Sequence, residues 1–193
     1  MKNSNENRNP RVLDTSALVH DPKSLLAYRD DIYICLTVLE ELDNLKERLD
    51  KNVSQDARAV IRMLEDIING HSSEEMEKGI QLPCTETAKR GKLFIGIDTQ
   101  VDFAKELKHA IGSDADNRII NYALHMQNEL EQDVTIVSRD INMRLKARTI
   151  GVDAEDVLVD NQISDVDLLY TGVQSFTGDL FDRCEEEKDF AMS

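Results

Sequence analysis

Short apolar stretches alternate with amphipathic stretches along most of this chain. Runs rich in β-branched and aromatic residues, typical of buried strands, occur at residues 11–13, 32–37, 93–97 and 134–137. Between them apolar residues recur at helical spacing, most clearly over residues 54–68. Strands that alternate with helices form a mainly parallel sheet with helices on both faces. The sequence therefore predicts an α/β fold, a three-layer α/β/α sandwich with a mainly parallel central sheet.

Length and composition indicate one globular domain with polar tails. A chain of 193 residues can bury one substantial core. Residues 1–10 are polar and predict a disordered lead, residues 11–160 form the predicted domain, and residues 161–193 form an acidic tail or linker. The three cysteines lack metal-ligand spacing, and no apolar run reaches the length of a membrane span. We expect a cytoplasmic protein with reduced thiols and no membrane partner.

The net charge of −15 at first argues against a nucleic-acid partner, because Lys and Arg dominate the binding of phosphates. However, the residues from Asp153 onward carry −10 of that charge, which leaves −5 for the preceding 152 residues. A local basic patch near Asp140 remains able to attract phosphate. Its members are Arg139, Arg144, Lys146 and Arg148. Surface ion pairs with nearby acids are the alternative role for these residues.

Four carboxylates fall where predicted strands give way to predicted helices. They are Asp14, Glu41, Asp116 and Asp140. In open parallel sheets, ligands bind beyond the carboxyl ends of the strands, where loops and helix starts converge. Each acid alone could instead cap a helix or a turn. Their shared position favours one site at this edge of the sheet.

Helix geometry separates two of these acids from neighbouring carboxylates. The apolar stripe of the predicted helix that carries Glu41 consists of Val38, Leu42, Leu45 and Leu49. Glu41 lies about 70° from this stripe, whereas Glu40 points nearly the opposite way. The pattern Thr37-x-x-Glu40 also fits a capping box, which gives Glu40 a structural role. Asp116 shares the inward face at the start of the next site helix, and we expect Asp114 to project from the loop before it.

Four clustered carboxylates would repel one another unless a cation neutralised them. Oxygen ligands suit a hard ion, Mg²⁺ or Mn²⁺, and such ions activate water and stabilise the leaving oxygen in phosphodiester hydrolysis. Nearby polar side chains could orient the carboxylates or the attacking water. They are Thr15, Ser16, Ser138 and Asn142. Ordinary turn and helix capping is the alternative for these residues.

Four segments together resemble the PIN domain, a fold of metal-dependent nucleases, and in particular the N-terminal PIN module of PhoH-like ATPases. The segments are residues 12–18 (VLDTSAL), 37–43 (TVLEELD), 114–120 (DADNRII) and 138–147 (SRDINMRLKA). The resemblance implies cleavage of single-stranded RNA with Mg²⁺ or Mn²⁺, with Asp14, Glu41, Asp116 and Asp140 as the metal-binding acids. It makes Asp114 an auxiliary acid, and Ser138 replaces the family's more frequent Thr.

The same resemblance also indicates which molecules this chain is expected to interact with. Residues 169–172 (LYTG) resemble the linker before the ATPase module of PhoH-like proteins, whereas the phosphate loop of that module is absent from the sequence. We expect either a PIN domain from a longer ATPase or a stand-alone relative. The expected interactions are with single-stranded RNA, with a PhoH-like ATPase module in the same polypeptide and with further copies of the chain in a homo-oligomer.

Three other classes of protein are alternative explanations for an aspartate after the first strand and for the clustered acids. A haloacid-type phosphohydrolase needs D-x-D, but Ser16 occupies the third position here. A phosphoacceptor receiver domain needs a lysine after a late strand, which the segment around Asp140 does not supply. The third alternative is a PIN-like regulatory or oligomerisation module that binds metal weakly and cuts nothing.

Overall fold

A computed structural model describes residues 9–83, 90–98 and 114–157 of the chain. All of these residues belong to the first of two units, Met1–Val159, and the second unit, Asp160–Ser193, lies outside them. Within the described residues, six strands form one sheet. They are β1 Arg11–Leu13, β2 Ile32–Cys35, β3 Ile80–Gln81, β4 Lys92–Gly96, β5 Thr135–Val137 and β6 Asp153–Glu155.

The strand order is β3-β4-β2-β1-β5-β6. Strands β4, β2, β1, β5 and β6 run parallel to their neighbours, and β3 pairs antiparallel with β4 at the edge. The chain builds outward from β1 through β2 to β4, then returns to β5 on the other side of β1. The carboxyl ends of β1 and β5 therefore lie at the point where the strand order reverses, which is where open α/β sheets bind ligands.

Helices connect these strands. The described helices are α1 Thr15–His20, a 3₁₀ helix at Pro22–Leu26, α2 Leu36–Lys46, α3 Lys51–Ile68, α4 Ser73–Glu77, α5 Asp114–Leu130 and α6 Ile141–Thr149. The mainly parallel sheet with its helices confirms the predicted α/β fold class. None of the described helices is long and apolar enough to cross a membrane.

The central strands are largely buried, with every residue of β2 and β5 and the last two residues of β1 in the core, as expected where helices cover both faces of a sheet. Across β2 and β4, the register partners Tyr33 and Phe94 stack with their ring centroids 4.6 Å apart. Gly96 is the last residue of β4, and only glycine fits there, because a Cβ atom at this position would lie 1.9 Å from the hydroxyl of Tyr122. This close approach lets α5 pack against the sheet.

Two boundaries around α2 differ from the sequence prediction. Residues 36 and 37 were predicted to extend the strand of β2, but they form the first turn of α2. Leu49 was predicted on the apolar face of this helix, but it is fully exposed and follows the end of the helix. Asp50 explains the second difference, because its side chain accepts from the amides of Asn52 and Val53 and so starts α3 immediately afterwards.

Two other regions contain more structure than the sequence predicts. Residues 71–92 hold Gly, Ser, Pro and many charges without periodicity, which predicts a surface excursion. This region contains α4, which a capping box of Ser72 and Glu75 begins, and the edge strand β3. The apolar residues 157–159 (VLV) predict a last strand, of which residues 158 and 159 lie outside the described residues, whereas no apolar run predicts β6 at Asp153–Glu155. Only Ala154 of that edge strand is buried, so its sequence lacks the apolar pattern of a core strand.

The predicted domain limits stay predictions. Most of the predicted lead, residues 1–8, lies outside the described residues, but the carbonyl of Pro10 already accepts from Thr135 N at 2.9 Å beside the sheet. The predicted limit at residue 160 and the acidic tail also lie outside the described residues.

Candidate active site

Four elements bring the four predicted acids to one cleft of about 750 Å³, which we call the acid cleft. Asp14 follows β1, Glu41 lies on α2, Asp116 lies on the first turn of α5, and Asp140 is the N-cap of α6. The complete lining is Asp14, Thr15, Ser16, Val19, His20, Glu41, Asn44, Leu45, Arg48, Asp116, Arg139 and Asp140. The acids thus share one space, as their positions after the strands predict.

Asp14 is the most buried of the four acids, with 5% of its surface exposed. Its Oδ1 accepts from Thr15 N at 2.7 Å, and its Oδ2 accepts from Ser16 Oγ at 2.6 Å and from Ser138 Oγ at 2.7 Å. Three donors to its two oxygens fix the orientation of this carboxylate. Asp14 is therefore both the cap of α1 and a fixed negative charge at the floor of the cleft.

Glu41 is half-buried, and the Oγ1 of Thr15 donates to its Oε2 at 2.5 Å. Burial raises the pKa of Glu41, and the charges of Asp14 and Asp116 raise it further, while the bond from Thr15 and the charge of Arg48 lower it. Like charges that destabilise each other's ionised form must lie close together. The three acids therefore form one electrostatic cluster.

Asp140 combines a capping role with a place in the acid cleft. Its Oδ1 accepts from the amide of Asn142 at 2.7 Å and from that of Met143 at 3.5 Å, which begins α6. Its own amide donates to Ser138 Oγ at 3.0 Å. The capping role that the sequence left open is thus present, and the side chain still lines the cleft.

Asp114 and Asp116 occupy different positions at the start of α5. Asp116 lines the acid cleft, whereas Asp114 is exposed and does not line it within the part of the chain that the structure describes. The expectation that Asp114 lies in a preceding loop is wrong, because this residue already belongs to the helix. Its auxiliary role stays a prediction.

The predicted supporting hydroxyls connect the acids. Thr15 joins Glu41, and Ser16 and Ser138 both donate to Asp14 and lie 3.2 Å from each other. Asn142 differs from these three residues, because its backbone amide donates the hydrogen bond to Asp140 and its side chain is exposed.

The predicted phosphate-binding residues do not act alike. Of the four, Arg139 lines the acid cleft in the described structure. Arg144 donates to the carbonyl of Ser138 at 2.6 Å and pairs with Asp156 at 3.1 Å. The other two have partners as well: Lys146 donates to Asn117 Oδ1 at 2.9 Å and Arg148 donates to the carbonyl of Ala154 at 3.1 Å. The contacts of these three residues stabilise the surroundings of α6, and the phosphate-binding role of all four basic residues stays a prediction.

Two ionisable residues of the cleft have no counterpart in the sequence prediction of the site. Arg48 lies just after the end of α2, and His20 ends α1. The guanidinium of Arg139 contacts His20 Nδ1, and the amide of Arg139 donates to Ser16 Oγ at 3.0 Å. No spacing pattern marks these residues, because tertiary packing alone brings them to the cleft.

Asp98 is a further buried acid that the sequence analysis did not identify. This carboxylate lies two residues beyond β4, with 4% of its surface exposed, and accepts from both the amide and the hydroxyl of Thr37. The capping box predicted between Thr37 and Glu40 is therefore wrong, because Thr37 lies inside α2 and bonds to Asp98 instead. Glu40 is exposed and lines a separate hollow, as its orientation away from the site predicts.

The donor set of the acid cleft fits a hard divalent cation. It consists of carboxylate oxygens, and a bound cation would offset both the burial of Glu41 and the nearby charges of Asp14 and Asp116, which together raise the pKa of Glu41. As the side chains stand, however, no three His, Cys, Asp or Glu residues in the described ranges are positioned to hold one metal ion together. The chemistry of the site fits a cation, and ligation requires side-chain adjustment.

Comparison with known proteins assigns the family. The model of the PIN domain matches residues 11–158. The chain belongs to the PIN domain family. PIN domains are generally nucleases, and PIN nucleases generally use divalent metal ions.

Two curated relatives carry the name PhoH2, in agreement with the resemblance found in the sequence. The PhoH2 protein of Bacillus subtilis is 29% identical over 178 residues, which cover 83% of this chain and 35% of the relative. The PhoH2 protein of Thermobispora bispora is 31% identical over 147 residues, which cover 75% of this chain and 31% of the relative. The chain thus spans about a third of the length of these relatives.

Among solved structures, VapBC2 from Rickettsia felis, crystallised with a DNA fragment from its promoter, aligns with a TM-score of 0.40 and 16% identity. The alignment covers 76% of this chain and 98% of that chain.

Proposed function

We propose that this chain is a Mg²⁺- or Mn²⁺-dependent endoribonuclease that hydrolyses phosphodiester bonds in single-stranded RNA. The observation that carries the proposal is the convergence of Asp14, Glu41, Asp116 and Asp140 on one cleft, with the pKa of Glu41 raised by burial and by its acidic neighbours. Clefts in which like charges are held together are typical of catalytic sites. The family supports nuclease chemistry, and the donor set supports a hard cation.

In this proposal the four acids would hold the cation, which would supply Lewis-acid stabilisation of phosphate charge and an activated water. The chain's own hydroxyls prepare the acids for that role. Ser16 and Ser138 keep the Asp14 carboxylate oriented, and Thr15 restrains Glu41. These bonds reduce the reorganisation that metal binding requires.

Arg139 and Arg48 would contact the substrate. Both line the acid cleft, and both carry charge that suits the phosphates on either side of the cleaved bond. Sparse aromatic residues argue against base stacking as the main source of affinity, so contacts with the backbone are the expected mode.

The proposal is tested with a labelled single-stranded RNA and Mn²⁺ or Mg²⁺. We expect cleavage that EDTA abolishes and that the double variant Asp14→Asn/Asp116→Asn lacks. Glu41→Gln and Glu40→Gln form a matched pair, because they make the same change at adjacent positions of α2. Only Glu41→Gln should reduce the rate. Equal cleavage by the double variant and the wild type would contradict the proposal, and single-stranded DNA and duplex RNA test the preference for the substrate.

One observation favours a second candidate, a PIN-like regulatory or oligomerisation module with weak catalysis. Among the residues that the structure describes, no three potential ligands are arranged to hold an ion, and both oxygens of Asp14 already accept hydrogen bonds. This candidate predicts self-association or stable binding to an ATPase without metal-dependent cleavage. Size-exclusion chromatography with light scattering, run beside the cleavage assay, separates the two functions.

We also propose that this module works within a longer polypeptide that contains a PhoH-like ATPase. The proposal is supported by the relatives named PhoH2, of which the chain covers about a third. The test is the natural open reading frame: a phosphate-binding loop encoded downstream of Ser193 would support the arrangement, and a stop codon there would contradict it.

A further inference from the structure

A buried carboxylate outside the acid cleft fixes the start of the helix that carries Glu41. Asp98 Oδ1 accepts from Thr37 N at 3.2 Å, and its Oδ2 accepts from the hydroxyl of the same threonine. Asp98 comes from the chain after β4, whereas Thr37 is the second residue of α2. These two bonds connect elements that lie 61 residues apart in sequence.

Helix α2 lacks the usual local cap. Its N-cap residue is Cys35, whose side chain makes no capping hydrogen bond. The first amides of a helix need acceptors, and a neighbouring Ser, Thr, Asp or Asn normally supplies one. For α2, Asp98 provides that acceptor from the chain just beyond β4. The rotation and depth of the helix start therefore depend on where β4 ends.

The site acid Glu41 lies one turn further along the same helix. Thr37 and Glu41 are four residues apart, so their side chains share a helix face. The carboxylate of Glu41 in turn accepts from the hydroxyl of Thr15, on α1, at 2.5 Å. A shift of the first turn of α2 would move Glu41 relative to Thr15 and to the other acids of the cleft.

We propose that Asp98 is a positioning residue that places Glu41 in the acid cleft through its two bonds to Thr37. The inference rests on the proposed function, since it concerns the geometry of that site. It assigns to Asp98 a role through hydrogen bonds. The competing account makes Asp98 a fifth acid that acts through its negative charge.

Two substitutions separate these accounts. Asp98→Ala removes both acceptors. Asp98→Asn removes the charge but retains an acceptor for the Thr37 amide and a donor for its hydroxyl, so both contacts can persist. Asp31→Ala is the matched control, because Asp31 Oδ1 accepts from Lys92 N at 2.7 Å and links the same pair of strands, β2 and β4, at their amino ends.

The readouts are Mn²⁺ affinity, measured by electron paramagnetic resonance, and hydrogen exchange of α2, measured by mass spectrometry. We expect Asp98→Ala to weaken Mn²⁺ binding by about ten- to hundredfold, as loss of an orienting contact does, and to speed exchange at the start of α2. Asp98→Asn and Asp31→Ala should match the wild type in both measurements. Thr37→Val, which removes one of the two contacts, should give an intermediate result.

Three outcomes would overturn the inference. Asp98→Ala could leave both measurements unchanged, Asp98→Asn could be as damaging as Asp98→Ala, or Asp31→Ala could weaken Mn²⁺ binding equally. The second outcome would favour the charge account, and the third would indicate general destabilisation. A wild-type protein that neither binds Mn²⁺ nor cleaves RNA would refute the proposed function instead, and hydrogen exchange would then decide the role of Asp98.

Discussion

The charged residues at the two ends of strand β1 have opposite surroundings. At its start, the Arg11 guanidinium donates to Asp30 at 2.8 Å, pairs with Glu155 and lies over the ring of Tyr28, 4.6 Å from its centroid. Just past its end, Asp14 shares the acid cleft with three other carboxylates. Only Val12 and Leu13 thus separate a charge with matched partners from a cluster of like charges.

The difference identifies which charges stabilise the fold and which serve the site. A cation with two acidic partners and an aromatic ring has a structural explanation. Crowded carboxylates reduce stability, and burial together with the charges of Asp14 and Asp116 raises the pKa of Glu41. Such a cost is retained where a site needs it. The comparison predicts that substitutions at the two ends of β1 will have opposite consequences.

The largest effect should come from Asp14→Asn, which removes one acid of the cleft while keeping the shape of the side chain. A metal site contributes several kcal/mol to stabilisation of the transition state, so we expect the cleavage rate to fall by about a hundred- to thousandfold. Arg11→Met should leave the rate per folded molecule near that of the wild type. Single-turnover cleavage under Mn²⁺ measures both variants, and equal losses would remove the distinction between the two ends.

Arg11→Met should show the opposite pattern in stability. It leaves Asp30 and Glu155 without their shared cation while its thioether still covers Tyr28. Because the ion pairs are partly exposed, we expect a loss of about 1–3 kcal/mol in urea denaturation at pH 7. Asp14→Asn should lose less stability than this, and a larger loss for Asp14→Asn would contradict the structural role assigned to Arg11.

The stability deficit of Arg11→Met should depend on pH. Burial raises the pKa of Glu155, and the charge of Arg11 counteracts that shift, so its removal should raise the pKa further. A carboxyl with a raised pKa in the folded state costs stability when ionised, and that cost disappears as the pH falls through the folded pKa. The deficit should therefore shrink between pH 7 and pH 4, whereas a deficit that grows toward low pH would contradict this account.

A smaller effect should appear in the acid cleft without metal. In EDTA, Glu41→Gln relieves repulsion from Asp14 and Asp116, so we expect a gain of about 0.5–1 kcal/mol in unfolding free energy. Glu40→Gln, on the adjacent exposed position, should change stability little. Added Mn²⁺ should stabilise the wild type more than Glu41→Gln. Thermal denaturation with and without Mn²⁺ tests this, and a loss of stability for Glu41→Gln in EDTA would show that its hydrogen bond outweighs the repulsion.

The smallest effect concerns Cys35, which ends β2 and carries no charge at neutral pH. Burial raises the pKa of its thiol to about 12, so the thiolate fraction at pH 8 is roughly one in ten thousand. In the native protein, alkylation of Cys35 by iodoacetamide should be far slower than in urea, and it should not depend on Mn²⁺. Peptide mass spectrometry distinguishes this cysteine from the other two, and rapid labelling at pH 8 would contradict its burial.

Local patterns allowed much of the fold to be predicted. The apolar runs located β1, β2, β4 and β5, and helical spacing located α3 and α5. Elements without such a pattern were missed or misplaced. Strand β6 has one buried residue, and α2 begins earlier than predicted because a distant acceptor, Asp98, bonds to Thr37. An element whose limits depend on a tertiary contact cannot be placed from local sequence alone.

The candidate site divides in the same way. Acids that follow predicted strands or begin helices could be named from sequence, and all four line one cleft. Their roles as metal ligands stay predictions. Arg48, His20 and Asp98 were missed because only the packing of separate elements brings them to their positions. Conversely, Arg144 joined the predicted phosphate patch by proximity in sequence, but it contacts Ser138 and Asp156.

The most direct test of the metal site is a crystal structure of the protein soaked with Mn²⁺, with data collected at the manganese absorption edge. The account predicts an anomalous peak in the acid cleft, ligated by Asp14 and by at least two of Glu41, Asp116 and Asp140, and loss of that peak in Asp14→Asn. A cleft without a peak at millimolar Mn²⁺, or a peak that persists unchanged in Asp14→Asn, would contradict it.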